Sequence, residues 1–407
     1  MTGPTPPPVH GVAVLTRTLL DSSLTTRFDV VHLDTSDRRD HANIGRFDVT
    51  NVVLALRHGA QFLTRLVRHR PDVVYLPVAQ NRLGFWRDCL FLIPSRLLRR
   101  KIVVHIHGGS LARLLEESDA ATRVLARWLF RGVSRTIILA DRLRPTVAGL
   151  APDERVAVVP YGVADTREIA GVVPGPGDRA GSSRGDEVGR QADVSARGMP
   201  GDAAEGVQRD AAIGETCHFV YLGTLMRSKG FADVLEAARL LLEEGVDARF
   251  TLAGPFGDAT DRELARPYQS SEWRGRIEFA GVVRGTEKAA LLRGADVFVF
   301  PSDYPYEGQP LVILEAMAAG LPVVATEHAA IPELVVGGET GVFVPKRDPA
   351  ALAAQLRVLA TDPELRRRLG AAGRARYEER YPLERRTEAA GDLLQAVIRA
   401  GSRSPRR

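Results

Sequence analysis

The stretch EGQPLVILEAMAAG occupies residues 307–320 and follows ADVFVFPS at residues 295–302. The short apolar run is typical of a buried strand, and the stretch after it has the composition of a buried helix. Glu307 precedes this helix, and Glu315 lies in its middle among apolar residues. A carboxylate in such surroundings destabilises the fold unless it is paired or solvated, so both glutamates are candidate functional residues.

The ends of this helix follow from its proline and glycine residues. Pro310 suits the first helical turn, where its missing N–H would have no partner. Gly320 suits the position after the last turn, and Pro322 cannot continue the helix. Glu307 is therefore expected in the loop at the N-terminal end of the helix.

Strand and helix patterns alternate along most of the chain. Continuous apolar strands separated by helical segments indicate parallel sheets covered on both faces. The fold class is therefore α/β, with two Rossmann-like, doubly wound domains facing a central cleft. The predicted strands are residues 30–33, 73–76, 102–106, 136–139 and 156–159, then 217–223, 248–254, 276–283, 295–302, 322–326 and 341–345; the predicted N-terminal helices are residues 51–69, 85–100, 110–131 and 141–149.

Residues 171–215 separate the two alternating patterns. The segment is rich in Gly, Asp, Arg and Ala, and it has no aromatic residue and no apolar period. Such a segment buries too little apolar surface to offset its ordering entropy, which predicts a disordered insertion. The predicted domains are residues 1–170 and 216–380, with a C-terminal helix and tail in residues 381–407.

Composition indicates a cytoplasmic enzyme. The chain has 407 residues, enough for two domains, and 26% of them are charged. Its two cysteines, Cys89 and Cys217, fit neither a disulfide framework nor a metal-ligand spacing. No run approaches the ~18 apolar residues of a membrane span. The cysteines are expected to be small buried hydrophobic residues.

Charge is distributed unevenly along the chain. Residues 1–165 carry 23 Lys and Arg against 15 Asp and Glu, whereas the remainder carries 32 against 35. A basic N-terminal half suggests an anionic partner such as lipid head groups, a phosphorylated acceptor or nucleic acid. Only four residues of the whole chain are lysine, against 51 arginines, so each lysine position is of interest.

The sequence GTLMRSKG, residues 223–230, follows the strand at 217–223 and precedes a helix. Arg227 and Lys229 would lie beside a helix N-terminus, where N–H groups and the helix dipole favour a phosphate. The sequence is not a Walker A loop, and no G-x-G-x-x-G follows a strand, which argues against a nicotinamide enzyme. The alternative is a solvated basic turn.

Two further strand or turn ends are candidate ligand contacts. In VHIHGGS, residues 104–110, His107 precedes two glycines that allow a ligand to approach the backbone closely. His105 lies on the same face of the strand and is the structural alternative. Gly11 opens a helix after PPPVH, a second geometry that suits a diphosphate.

The spacing of the two glutamates indicates what they contact. Eight helical residues span ~12 Å, whereas glycosidase carboxylate pairs lie only ~5–9.5 Å apart. The spacing suits the two ends of a sugar linked through diphosphate to a ribose, with the diphosphate facing the helix start at Gly308, Gln309, Pro310 and Leu311. No D-x-D occurs, so a metal site on such a motif is not expected.

These motifs resemble the retaining glycosyltransferases of family 4. EGQPLVILEAMAAGLPVVAT, residues 307–326, is similar to the E-x7-E signature of that family. FVYLGTLMRSKGFADVLEAA, VHIHGGS, VPYGVAD and the Gly11 turn occur in the family's order, so the resemblance covers nearly the whole chain outside 171–215. It implies the GT-B fold, with a nucleotide-sugar held mainly by the C-terminal domain.

The resemblance also implies a role for each site residue. Glu307 and His107 would contact the transferring sugar as the catalytic residues, and Glu315 would contact the ribose. The remaining contacts would be Lys229 and Arg227 at the diphosphate, Gly11 on the phosphate side of the acceptor loop, and the backbone at Val282 and Val283 at the nucleobase.

Three features depart from the family pattern. Thr224 stands where the family usually carries Arg, and Tyr161 stands where it carries Asn. Only three residues precede Pro4, so a first strand is expected to be encoded upstream of Met1, the alternative being an N-terminal sheet without a central strand.

The resulting expectation is a metal-independent, retaining hexosyltransferase without a cofactor, which takes its sugar from a nucleotide-diphosphate donor. The acceptor would be a glycan or a lipid-linked precursor, and no nucleic-acid partner is expected. Peripheral contact with an anionic membrane is suggested by residues 85–101, where aromatic and aliphatic residues lie beside Arg and Lys. A buried helix with a basic rim explains that segment equally well.

Two other functions remain open on the sequence. A GT-B nucleotide-sugar epimerase would share the donor site and need no acceptor. A non-catalytic sugar-binding protein would share the cleft and would need no Glu307 at the start of the helix.

Overall fold

Two separate sets of parallel strands form the cores of two domains in the computed structural model, which describes residues 1–7, 11–37, 48–169 and 216–402. The N-terminal strands are β1 (Thr2–Gly3), β2 (Leu33–Asp34), β3 (Val73–Val78), β4 (Lys101–Ile106), β5 (Arg135–Ile138) and β6 (Val156–Val158). Strands β3 to β6 form one sheet in chain order, and β1 pairs with β2. The helices are α1 (Gly11–Asp21), α2 (Leu24–Arg27), α3 (Val49–His69), α4 (Arg82–Leu97), α5 (Leu111–Glu116) and α6 (Ala120–Arg131).

The C-terminal domain has a six-stranded parallel sheet. Its strands are β7 (Cys217–Leu222), β8 (Ala248–Ala253), β9 (Ile277–Gly281), β10 (Val297–Phe300), β11 (Val323–Thr326) and β12 (Gly341–Val344), in the order β12-β11-β10-β7-β8-β9. This doubly wound order confirms the predicted fold class. The helices are α7 (Phe231–Glu243), α8 (Ala259–Ala265), α9 (Gly285–Arg293), α10 (Leu311–Ala319), α11 (Ile331–Leu334), α12 (Pro349–Thr361), α13 (Pro363–Arg380) and α14 (Leu383–Ser402).

The last helix, α14, returns to the N-terminal domain. Its residues Ala390, Leu394 and Val397 share a buried cluster with Tyr75 of β3 and Val103 of β4. The two domains are therefore joined by this helix as well as by the chain between β6 and β7.

Several predicted boundaries are wrong for local reasons. The single helix expected over residues 110–131 is two helices, because Asp119 caps a new helix by accepting a hydrogen bond from Thr122 N–H. Residues 141–149 form a 3₁₀ helix, Asp141–Val147, which contains Pro145. The strand expected at residues 30–33 is reduced to β2.

The residues before Pro4 do form part of a strand. Thr2 and Gly3 pair with Leu33 and Asp34, and the N-terminal ammonium group donates to the Val31 carbonyl at 2.9 Å. β1 is only two residues long, and the expectation that a first strand is encoded upstream of Met1 stays a prediction.

The predicted insertion, residues 171–215, lies outside the described residues. Both cysteines are free and buried, as expected for small hydrophobic residues. Across the part of the chain that the structure describes, no helix combines the length and the apolar composition that crossing a membrane requires.

Candidate functional site

The loop that carries Glu307 connects β10 to α10. Helix α10 begins at Leu311, directly after Pro310, and ends at Ala319; the next residue, Gly320, has a φ of 82°, the left-handed conformation that glycine adopts most easily. The predicted end of the helix at Gly320 is confirmed, whereas Pro310, expected in the first helical turn, is the extended residue before it. Glu307 therefore lies in the loop at the C-terminal edge of the sheet, where ligands of open α/β domains bind.

Glu307 is buried and paired. Its Oε2 lies 3.0 Å from Lys229 Nζ and accepts a hydrogen bond from Ser302 Oγ at 3.1 Å. Lys229 Nζ also lies 4.6 Å from the centroid of the Tyr304 ring, a cation–π contact. Two candidates from separate motifs thus meet at one point, between the turn after β7 and the loop after β10.

The turn that presents Lys229 is pressed against the loop after β10. Residues Arg227–Lys229 form a single 3₁₀ turn that ends at Gly230, whose φ is 82°. A Cβ at Gly230 would lie 2.3 Å from the Pro301 carbonyl oxygen, so a glycine is required there. Arg227 itself is exposed, and its backbone N–H donates to Asp261. The solvated-turn alternative therefore describes Arg227 but not Lys229.

Glycines bring the two domains into direct backbone contact at the site. A Cβ at Gly308 would lie 2.4 Å from the His107 carbonyl oxygen, and one at Gly109 would lie 3.0 Å from the Glu307 carbonyl oxygen. A Cβ at Gly108 would lie 2.9 Å from the carbonyl oxygen of Tyr306. The predicted juxtaposition of the loops that carry His107 and Glu307 is present.

His107 is held by Tyr161, which lies in the chain that leaves β6. The ring nitrogen Nδ1 of His107 is 2.6 Å from the Tyr161 hydroxyl, and the two rings are stacked. Burial, followed by the positive charge of Arg386, lowers the pKa of His107 to about 3. The imidazole is therefore neutral near pH 7. Gln309 contributes by accepting the Tyr161 backbone N–H at 2.5 Å.

Glu315 is paired with Lys288, which no sequence motif indicates. Its Oε1 lies 2.5 Å from Lys288 Nζ on α9. Its Oε2 is buried and has no hydrogen-bond partner among the described residues. A buried carboxylate oxygen without a hydrogen-bond donor destabilises the fold. A ligand hydroxyl at this position would donate the missing hydrogen bond.

The remaining predicted residues have different positions. Gly308 and Pro310 are buried in the loop, and Leu311 is half-buried at the start of α10. Val282 is exposed directly after β9, at the same edge of the sheet. Gly11 begins α1 and would have no heavy atom within 4 Å of an added Cβ. No contact of Val282 or Gly11 with the Glu307 pair is present among the described residues, so their roles stay predictions.

Three contributors to the site were missed. Ser302 and Lys288 bind the two glutamates, and Tyr161 binds His107. The scarcity of lysine was the signal available for Lys288, since two of the four lysines pair with the two glutamates. Tyr161 was noted only as a departure from the family pattern.

No cluster of three or more His, Cys, Asp or Glu residues that could hold a metal ion occurs within the described parts of the chain. The polar groups at the site are instead paired carboxylates and lysines, a neutral imidazole and hydroxyls. Such groups can hold sugar hydroxyls and neutralise an anionic leaving group.

The family match lies in the C-terminal domain. Residues 216–362 match the family described as Glycosyl transferases group 1. A putative colanic acid biosynthesis glycosyltransferase, WcaL of Salmonella typhimurium, is 38% identical over 151 residues, which are 36% of each chain. The D-inositol 3-phosphate glycosyltransferase of Streptomyces coelicolor is 31% identical over 294 residues, 68% of this chain and 59% of the relative. The chain thus spans less than half of the first of these relatives.

Solved structures match the fold over nearly the whole chain. Sucrose-phosphate synthase from Thermosynechococcus elongatus aligns with a TM-score of 0.68 at 17% identity, covering 98% of this chain and 96% of that one. Anabaena HepE in complex with UDP-glucose aligns with a TM-score of 0.64 at 17% identity, covering 93% and 95%. The chain therefore has the fold of GT-B glycosyltransferases.

Proposed function

We propose that this protein is a retaining, metal-independent hexosyltransferase that moves a sugar from a nucleotide-diphosphate donor to a glycan or lipid-linked acceptor. The proposal places it in the cytoplasm, in polysaccharide or glycoconjugate biosynthesis. The observation that carries the proposal is the meeting of Glu307, Lys229 and His107 at the contact between the two domains. The similarity of residues 216–362 to group 1 glycosyltransferases supports the same conclusion.

The donor would lie along the edge of the C-terminal sheet. Glu315 Oε2, which lacks a partner, would accept a ribose hydroxyl, and Glu307 would accept hydroxyls of the transferring sugar. Lys229 would neutralise the departing diphosphate, because the turn before α7 presents its ammonium beside the Glu307 carboxylate. A nucleotide-sugar donor is also consistent with the UDP-glucose complex of HepE.

His107 would contribute as a neutral hydrogen-bonding group. Tyr161 occupies Nδ1, which leaves Nε2 for the sugar. A neutral imidazole adds no charge beside the carboxylate of Glu307, so the two groups can hold neighbouring hydroxyls without neutralising each other. Both backbones are fixed by the glycine contacts, as a preorganised site requires.

A turnover assay distinguishes this proposal from its alternatives. The protein is incubated with several nucleotide-sugars, with and without a lipid extract, and release of nucleotide diphosphate is measured. A transferase releases the nucleotide in an acceptor-dependent manner, an epimerase converts the donor without an acceptor, and a binding protein does neither. Donor conversion that is independent of any acceptor would contradict the proposal.

Membrane contact is better supported by α3 than by residues 85–101. In that segment Phe85, Phe91 and Leu92 are buried, so most of α4 belongs to the core, as the buried-helix alternative states. Helix α3 instead exposes an apolar stripe at helical spacing, and residues 49–71 contain no acidic residue. The exposed members of the stripe are Val49, Val52, Val53, Leu56, Leu63 and Val67.

We infer that α3 lies on an anionic lipid surface. An apolar stripe flanked by the exposed Arg57 and Arg68 has the composition of an interfacial helix, and its positive charge complements acidic head groups. Sedimentation with liposomes should require acidic lipid and weaken with salt. The double substitution Val53→Gln and Leu56→Gln should reduce binding, whereas Val358→Gln, at an exposed position of α12, should not. Equal recovery with neutral and acidic liposomes would contradict the inference.

A further inference from the structure

A buried arginine lies at the junction between α14 and the N-terminal sheet. Arg386, in the first turn of α14, is only 3% exposed. Its Cζ lies 5.2 Å from the centroid of the Tyr161 ring. None of its three side-chain nitrogens has a hydrogen-bond partner among the described residues. A guanidinium that is buried without a hydrogen-bond acceptor destabilises the fold strongly. We therefore expect an acceptor beside Arg386.

Among the described residues, the side chains that interact electrostatically with Arg386 carry no negative charge. The groups that interact electrostatically with it are the Tyr75 and Tyr161 hydroxyls, and its charge in turn lowers the pKa values of His105 and His107, after burial. All four are neutral near pH 7, since burial raises the pKa of both tyrosines. The cluster therefore carries a net positive charge inside the protein.

His105 provides a second donor without an acceptor. Its Nδ1 lies 2.5 Å from the Tyr75 hydroxyl, and its Nε2 is buried and has no partner among the described residues. When the Tyr75 hydroxyl donates to Nδ1, the Nε2 position carries the proton and becomes a donor. The ring lies 6.5 Å from that of Tyr161, which Arg386 also contacts. Two kinds of N–H donor thus flank the same tyrosine and lack acceptors.

We propose that Arg386 and His105 bind a small inorganic anion of the chloride class where α14 meets the N-terminal sheet. An anion would accept hydrogen bonds from Arg386 and His105 and would also balance the buried positive charge. A water molecule would accept the hydrogen bonds but would not balance the charge. A small anion fits better than a phosphorylated ligand, because Arg386, His105, Tyr75 and Tyr161 are all buried. This inference rests on the cluster itself and not on the proposed transferase activity.

The bound anion would tie three parts of the chain together. His105 and Tyr75 belong to the N-terminal sheet, Tyr161 lies in the chain that leaves it, and Arg386 belongs to the helix that returns from the C-terminal domain. Anion binding is then expected to stabilise the docking of α14, which holds the two domains together. A ligand that binds only the folded protein raises its melting temperature with concentration.

Crystals of the wild-type protein grown in sodium bromide test the site directly. The proposal predicts an anomalous bromide peak in contact with the Arg386 guanidinium and on the side of His105 Nε2. Ordered water at that position with no anomalous signal would overturn it. Bromide bound only at exposed arginines, as an adventitious ion, would overturn it equally. This measurement needs no variant and so does not depend on whether a substitution at Arg386 folds.

Thermal unfolding tests the same site in solution. The melting temperature of the wild type should rise saturably when sodium chloride replaces sodium gluconate at constant ionic strength. Arg386→Met should lose that rise, and Arg386→Lys, which keeps the charge, should retain part of it. Arg385→Met, which removes an exposed charge from the preceding residue, should behave as the wild type. The same chloride dependence in Arg386→Met and in the wild type would contradict the proposal.

Discussion

Lys229 Nζ lies 3.0 Å from Glu307 Oε2, and both side chains are largely withdrawn from solvent. The two residues are 78 positions apart, in the turn after β7 and the loop after β10. Glu315 is matched in the same way by Lys288. In a chain with 51 arginines, two of the four lysines pair with the two glutamates. The lysine ammonium is a compact charge on a flexible stem, whereas the arginine guanidinium is a rigid planar fork. A lysine can therefore leave its glutamate and bind a ligand more easily than an arginine could.

Replacing Glu315 by Gln should weaken donor binding while leaving turnover largely unchanged. In the proposed donor arrangement the ribose would be far from the reacting bond, so the lost interaction would be present equally in the ground and transition states. Losing one hydrogen-bond partner costs roughly 1–3 kcal/mol, which is about a 5- to 150-fold rise in the donor KM. Steady-state kinetics with varied donor measure this. An unchanged KM with a reduced kcat would assign Glu315 a different role.

Lys229→Ala should reduce kcat and raise the donor KM together, because the ammonium neutralises the diphosphate both when it is bound and when it departs. Arg227→Ala provides the comparison, since Arg227 lies two residues away but is exposed. The loss of kcat/KM in Arg227→Ala should be smaller than that in Lys229→Ala by about tenfold or more, because an exposed charge is screened by water and salt. Equal losses in the two variants would show that the exposed arginine also holds the donor.

Gly308→Ala should disrupt the contact between the domains. The added Cβ would lie 2.4 Å from the His107 carbonyl oxygen, and backbone on both sides must move to accommodate it. Such overpacking costs ~1–3 kcal/mol and separates His107 from Glu307. Gly373→Ala is the matched control, because its Cβ would make only ordinary contacts of 3.6 Å or more. The melting temperature and kcat/KM should both fall in Gly308→Ala. Neither should fall in Gly373→Ala.

Folding stability should fall as the pH drops below 6.5, in part because of His107. Its pKa is lowered from 6.5 to about 3 in the folded protein, so between these values the unfolded chain binds the additional proton. Protonation therefore favours the unfolded state, and one such group contributes a loss of about 1 kcal/mol between pH 6.5 and 5.5. Urea unfolding at the two pH values should show a smaller loss for His107→Gln than for the wild type. Equal losses would mean that His107 is already protonated at pH 5.5.

The sequence was sufficient for the architecture and for the pairing of motifs across the cleft. The parallel sheets follow from continuous apolar runs, and the position of Glu307 follows from Pro310 and Gly320, which are local signals. The partners of the site residues do not follow in this way. Tyr161 and Arg386 lie 54 and 279 positions from His107 along the chain. Tyr161 reaches His107 from the chain that leaves β6, and the packing of α14 on the N-terminal sheet brings Arg386 to Tyr161. Neither the residue type nor its spacing indicates such contacts.

In the proposed function the Glu307 carboxylate acts on the sugar being transferred, and kcat of Glu307→Gln tests this role. The amide keeps the shape and its hydrogen bond to Ser302 but removes the charge, and Ser302→Ala serves as the control that keeps the charge. This role predicts that kcat of Glu307→Gln falls by ~100-fold or more while the donor Kd changes by less than about tenfold. A Glu307→Gln variant with wild-type kcat would contradict it and leave the carboxylate as no more than a structural partner of Lys229.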